Sequence, residues 1–262
     1  MAFGLWFLLK VLKYPDLSIE QIFVLGGVVF GISSNADNHF TVTLSIVFVI
    51  ALILSIICSF LRFKIKLNPI IISLIMTYVY YSTSLYLMGK SGISIKNISD
   101  NNEFNYMMYS IILLITYSFF LFFLFKSKFG LRIISIGSNE ILANRLSISP
   151  FKYGTAGLFF AYFIILMGGV LYAYRIKNAD ISYGGGFLLM SLFIVLLTNI
   201  ISKRINVFKI LFAILLVSLL YSLLLQIIIT INFPSELTRG FYAISLLVLV
   251  IAMPRDKMKL FS

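Results

Sequence analysis

Histidine and cysteine are almost missing from this chain. Its 262 residues include one of each, His39 and Cys58. A disulfide needs two cysteines and a zinc site needs three or four Cys or His ligands. A disulfide framework, a Cys/His zinc site and a His-pair metal site are therefore excluded. Cys58 sits inside an apolar run and reads as inert packing, and His39 sits in the polar turn Ser33–His39 and reads as a loop residue. Charge is scarce as well, at 11% of residues. No Gly-x-x-x-x-Gly-Lys-(Ser/Thr) loop is present to cradle a nucleotide's phosphates. No Ser/His/Asp set or carboxylate pair suggests catalysis, so an enzyme is disfavoured and no cofactor is expected. No apolar stretch holds the cluster of Asp, Glu, Lys or Arg that an ion-coupled pump would need at mid-membrane.

What the chain has instead is apolar length. Hydrophobic residues make up 61%, and the mean hydropathy is +1.05. Apolar stretches of about 20 residues recur throughout, the length a helix needs to cross a ~30 Å hydrocarbon layer. Expected spans are Phe40–Leu61, Pro69–Met88, Tyr106–Phe125, Tyr153–Tyr174, Ile181–Ile201, Val207–Ile231 and a shorter one near Leu237–Met253. Two weaker segments precede them. Ala2–Leu12 is about half a bilayer long. Leu17–Ser33 is also short, carries Glu20 and contains Gly26, Gly27 and Gly31. The expected fold is all-α: a polytopic transmembrane bundle of about eight or nine spans, some short or broken, forming one domain over residues 1–262. No cleavable signal peptide is expected, because the first apolar stretch has no basic region before it.

The net charge of +12 would suggest nucleic acid in a soluble protein. Here the cations sit in short loops, so no nucleic-acid partner is expected and topology explains them better. One set of alternate loops holds Lys10 and Lys13; Arg62, Lys64 and Lys66; Lys126, Lys128, Arg132, Arg145 and Lys152; Lys203, Arg204 and Lys209; and Arg255, Lys257 and Lys259. The other set holds only Lys90, Lys96, Arg175, Lys177 and Arg239. The rule that cytoplasmic loops are positive puts the first set, and the C-terminus, in the cytoplasm. Asp37, Asp100, Glu103, Asp180 and Glu236 then face outward.

Three segments stand out. Pro15-Asp16-Leu17-Ser18 opens one glycine-bearing apolar segment, and Ala179-Asp180-Ile181-Ser182 opens another with Gly184, Gly185 and Gly186. The charge rule places these turns on opposite sides of the membrane, as an inverted-topology repeat would. Three successive glycines weaken a helix, so an unwound turn or a close backbone approach is expected there. Gly27-x-x-x-Gly31 suits close helix packing better than a substrate contact. Glu20, near the mouth of its segment, is either a substrate-path acid or an interfacial carboxylate that snorkels to water or pairs with Lys10 or Lys13. The third segment is the connector at about 126–152. Ser138 or Asn139 can cap a helix there, with Glu140 in its first turn. Ile141, Leu142 and Leu146 form its apolar face, and Pro150 ends it. That face rests on the membrane or docks into a soluble partner.

Four stretches resemble the membrane permease subunits of bacterial ABC importers, in the group serving branched-chain amino acids, ribose and nucleosides. They are Tyr14-Pro-Asp-Leu-Ser-Ile-Glu20 with Phe23-Val-Leu-Gly-Gly27; Leu67-Asn-Pro69 with Leu87-Met-Gly89; Gly137-x-Asn139-x-x-x-Ala143 with Leu146 and Ile148; and Asp180-Ile-Ser182 with the glycines beyond. The similarity is to the branch associated with tryptophan- or tyrosine-type systems and runs from about Lys10 to Pro254. It departs from the family at Gln21 and Ile22, where small residues are usual, at Ser147, and at Ala2–Leu12, which matches the second half of the family's first span. The resemblance implies a homodimer in the bacterial cytoplasmic (inner) membrane, two cytoplasmic ABC ATPase subunits and an extracytoplasmic substrate-binding protein. The permease itself would do no chemistry and would form the path for an amino acid. A sugar or nucleoside importer and an ion-coupled secondary transporter are the alternatives. Candidates for the substrate path are Asp16, Ser18, Glu20, Gly26, Gly27, Asp180, Ser182, Gly184 and Gly185. Candidates for ATPase coupling are Gly137, Asn139, Glu140, Ala143 and Leu146.

Overall fold

A helix that is apolar on every side has no face for water and ends up inside. Helix α2 (Ile19–Asn35) is such a helix, and it is buried from Ile22 to Gly31. The structure, a computed structural model, describes residues 1–95, 103–201, 207–230 and 237–252, without the side chains of 103–107, 207–208, 228–229 and 238. Around α2 stand α3 (Phe40–Ser59), α4 (Pro69–Met88) and α8 (Pro150–Ile176). Helix α8 is 61% buried over its most apolar window, whereas the other candidate spans are 17–33% buried, so α2 and α8 form the centre.

Small residues let these two helices approach. A methyl group added at Gly26 would sit 2.1 Å from the Leu166 carbonyl oxygen, and one at Gly169 would sit 1.8 Å from that of Phe23. Such contacts replace the hydrophobic drive that lipid cannot supply, and hydroxyl pairs add to them. Thr43 of α3 donates to Ser33 of α2 at 2.9 Å, and Thr155 of α8 donates to Ser59 of α3 at 2.7 Å. Cys58 is buried 3.4 Å from the Tyr80 hydroxyl, which ties α3 to α4.

The remaining elements follow the sequence's punctuation. Helix α1 (Ala2–Trp6) runs into a single π turn (Phe7–Val11), and both are buried. A π turn, Phe60–Lys64, also ends α3. Asn68 caps α4, accepting from the Ile70 amide at 3.0 Å, with Pro69 in the first turn and left-handed Gly89 (φ 66°) at the end. This is the usual placing of proline at a helix start and glycine past its end. Then come strand β1 (Gly92–Ser94), α5 (Glu103–Lys126), α6 (Lys128–Ser138), α7 (Glu140–Arg145), α8, strand β2 (Asn178–Asp180), α9 (Phe187–Ile201), α10 (Val207–Thr230) and α11 (Thr238–Ala252).

The helical bundle is as expected, and it also carries a short two-stranded antiparallel ribbon that pairs Gly92 with Asp180 and Ser94 with Asn178. Several expectations are corrected here. The count of eight or nine spans falls to six among the described residues: Phe40–Lys64, Pro69–Met88, Met108–Lys126, Pro150–Ile176, Ile181–Ile201 and Lys209–Ile227. Ala2–Val11, Ile19–Asn35 and Arg239–Ala252 are shorter apolar helices. At 1.5 Å per residue even the longest of these, α2, reaches only about 25 Å. The 126–152 connector holds two helices, α6 and α7, where one was expected. Pro150 starts α8 instead of ending the connector helix, because proline fits the first turn of a helix.

Several basic residues gather at one end of the bundle. Lys64 stacks over Phe151, Arg132 and Lys152 lie over Tyr153, and Arg62 lies over Tyr14, so these cations share one end of the bundle. The ribbon and Lys177 mark the other end. Lys96, Asp100, Lys203, Arg204, Glu236, Arg255, Lys257, Lys259 and the C-terminus lie outside the described residues, as does the side chain of Glu103.

Candidate functional site

Two helices begin inside the bundle, each behind an Asp-x-Ser turn. In the first, Asp16 Oδ1 accepts from the Ser18 amide at 2.8 Å and from the Ser18 hydroxyl at 2.6 Å. Its other oxygen accepts from the Tyr162 hydroxyl at 2.6 Å. Asp16, Ser18 and Tyr162 are 3%, 0% and 0% exposed. Tyr162 stands twelve residues into α8, about 18 Å along it, so α2 starts well below the basic end. A short polar side chain that bonds its own backbone two residues on favours a turn over a helix, which explains why the chain unwinds there.

In the second turn, Asp180 Oδ1 accepts from the Ser182 amide at 2.7 Å, while Ser182 is exposed and Asp180 half-buried. A 3₁₀ turn follows at Ile181–Gly184, then the left-handed Gly186 (φ 97°), then α9. Ala179 lies beside Gly31, near the ribbon end of α2, and Gly184 lies beside Val24 and Glu20, near its start. Residues 179–184 therefore descend along α2 from the ribbon into the bundle. Helix α9 starts at that depth and continues alongside α1.

Glu20 joins the two broken helices. Its Oε1 accepts from the amides of Gly186 (3.0 Å) and Leu188 (2.9 Å), which caps the start of α9 from the first turn of α2. A carboxylate belongs there, because the first amides of a helix lack partners and carry partial positive charge. Backbone amides thus stand where one of the alternatives placed Lys10 or Lys13. The charge that does act on Glu20 is Arg239 of α11, which donates to the Ser182 carbonyl at 3.1 Å and lies against Gly185. A cavity of about 310 Å³ borders the start of α9, lined in part by Phe23, Tyr172, Phe187, Met190 and Ser191. A larger one of about 620 Å³, between α3, α5 and α8, is lined mainly by rings and alkyl chains and shares no residue with either turn.

At the basic end, Asn139 accepts from the Leu142 amide at 3.0 Å and starts α7. Ile141 (70%), Leu142 (53%) and Leu146 (64%) are exposed, whereas Ala143 is buried. Asn139 is exposed, and Glu140 is half-exposed with Arg62 in its field. Gly137 faces inward, where an added methyl would sit 1.8 Å from the Val11 carbonyl oxygen.

The structure thus brings Glu20, Ser182, Gly184 and Gly185 together and keeps Asp16 with Ser18 at a separate turn. Gly26 packs against the α8 backbone, and Gly27 lies 3.3 Å from Ala173 and Gly169 by the same measure, so both serve helix packing. Gly137 and Ala143 support α7 from within, and its exposed apolar surface belongs to Ile141, Leu142 and Leu146. Sequence reasoning passed over Tyr162 and Arg239. A tyrosine on an apolar helix and a lone arginine after a loop have no distinguishing local pattern. Among the described residues no three His, Cys, Asp or Glu side chains gather to hold a metal.

Two comparisons bear on identity. The family described as "branched-chain amino acid transport system / permease component" matches residues 1–253. The tyrosine transport system permease protein of Clostridioides difficile (strain R20291) is 24% identical over 221 residues, covering 80% of this chain and 72% of that protein. No solved structure matches. With its multi-pass apolar bundle matched along almost its whole length, the chain belongs to the family of permease components of branched-chain amino acid transport systems.

Proposed function

We propose that this chain is the transmembrane subunit of an ABC importer and forms the path for a small solute, an amino acid. The observation that carries this reading is α7. It is a six-residue capped helix at the basic end that holds Ile141, Leu142 and Leu146 out of the bundle, as a docking helix for a soluble ATPase would. The family match and the tyrosine-transport relative support the substrate class. In this reading ATP is hydrolysed in separate ATPase subunits, a binding protein delivers the solute at the ribbon end, and two copies of the chain pair in the inner membrane. The basic end and the C-terminus are cytoplasmic. The path runs past Glu20, Asp180, Ser182, Gly184 and Gly185, with Arg239 beside them, while Asp16 and Ser18 set where α2 begins.

A second reading draws on one observation. Two helices that break inside the bundle beside an acid also suit an ion-coupled secondary transporter. Affinity purification from the native membrane separates the two. An ATPase recovered in near-equal amount supports the importer, and the chain recovered alone after gentle extraction supports the secondary transporter. Ile141→Ser with Leu146→Ser sharpens the test. Both side chains are exposed, so stability should change by no more than about 0.5 kcal/mol each. Recovery of the ATPase should fall at least tenfold, and unchanged recovery removes α7 as the docking element.

A further inference from the structure

A docking helix matters only if something carries its movement inward. The stretch Val11–Ser18 touches both the α6–α7 segment and the start of α2. At one end, the backbone of Gly137 presses on the Val11 carbonyl and on Leu12, with no room for a methyl group between them. At the other end, Asp16 holds the first turn of α2 through Ser18 and is itself held by Tyr162. Midway stands Tyr14, 0% exposed. The Arg62 guanidinium lies 5.0 Å from its ring centre and 5.0 Å from that of Phe63. Phe63 in turn packs into the gap left by Gly154 of α8. Glu140, the first residue of α7, is close enough for its charge to act on Arg62. A flat cation over two rings, in the field of a carboxylate, makes a directional contact that a flexible ammonium reproduces poorly.

We propose that Arg62, stacked on Tyr14, is the positioning residue that passes movement of the docking helix to the Asp16 turn and so to the start of α2. The inference rests on the importer reading, since it needs an ATPase to move α7. Two routes converge on the same eight residues, Val11–Ser18. Gly137 pushes on Val11, and Arg62 holds Tyr14. Packed contacts of this kind switch between arrangements instead of deforming continuously. Asp16 lies only two residues beyond Tyr14, so a shift of the ring has little slack to absorb it.

The single native cysteine is buried, so an added one can be labelled selectively. Leu17, in the Asp16 turn, is 41% exposed. A Leu17→Cys protein carrying a bimane label, purified with its ATPase, is treated with ATP and vanadate and the emission shift is read. The parent should shift. Arg62→Gln and Tyr14→Leu should each lose at least nine-tenths of the shift while still recovering the ATPase and its ATP turnover. Tyr14→Phe, which keeps the ring, should retain the shift. If Arg62→Gln does not fold, Arg62→Lys keeps the cation without the flat face and should leave less than half. A full shift in Arg62→Gln or Arg62→Lys, or a parent that does not respond to ATP, overturns the inference and leaves the importer reading intact. Failure to recover an ATPase with the parent overturns the importer reading and the inference with it.

Discussion

The turns at Asp16 and Asp180 make the same hydrogen bond and live in opposite surroundings. In each, the aspartate accepts from the amide of the serine two residues on, at 2.8 and 2.7 Å. The Asp16 carboxylate is 3% exposed and takes two further bonds, from Ser18 and Tyr162 hydroxyls. The Asp180 turn stands at the ribbon, with an exposed serine. The local chemistry of Asp-x-Ser therefore fixes the turn and says nothing of its weight in the fold. That weight comes from Tyr162, 146 residues away in sequence, and from the helices that exclude water around it.

The difference can be broken most forcefully at Asp16. Asp16→Ala strands two hydroxyls and an amide in a buried site, and is expected to cost roughly 3 kcal/mol or more. A lowered melting temperature in detergent would show it, and a change under 1 kcal/mol would mean that water reaches the turn. Next comes the packing around each broken helix. At Gly26 an added methyl meets the α8 backbone, while at Gly184 it meets the Val24 methyl at 2.8 Å and the Glu20 carbonyl at 3.0 Å. Gly26→Ala should cost about 2–3 kcal/mol and Gly184→Ala less, since a side-chain methyl yields more readily than a helix backbone. Equal melting shifts would show that the descending loop is as rigid as α2.

Glu20 sharpens the contrast between support and function. Glu20→Gln keeps an oxygen to cap α9 and should cost about 1 kcal/mol, while Glu20→Ala removes the cap and should cost ~1–2 kcal/mol. Uptake by reconstituted vesicles then decides the role. A loss of uptake with Gln at a near-parental melting temperature places the charge in the path, and unchanged uptake leaves Glu20 as a cap only. The smallest effect is expected at Asp180. Asp180→Ala should cost under ~1 kcal/mol, because water can replace its bond to Ser182. A cost equal to that of Asp16→Ala would erase the distinction between the turns.

Much of the architecture was legible because lipid imposes simple rules. Apolar runs such as Phe40–Leu61 and Pro69–Met88 became helices at nearly those bounds, with Asn68, Pro69 and Gly89 acting at the termini as their chemistry requires. The docking segment was half legible. Asn139 caps α7 as expected, but α6 was missed, although Lys128–Ser138 places Ile133 and Ile136 on one buried face behind a Ser127 cap. The ribbon was not legible at all. Gly92–Ser94 and Asn178–Asp180 are three residues each and follow α4 and α8, two helices that both pack on α2.

The sequence by itself determined that the chain lives in lipid, where it turns, and which loops carry positive charge, because each of these follows from the hydration of single side chains or from contacts a few residues apart. The tertiary structure decided which acid caps which helix, which glycines face a backbone, and which of two identical turns is sealed from water. Those outcomes depend on groups more than a hundred residues apart meeting at a few ångströms, and no local pattern encodes that distance.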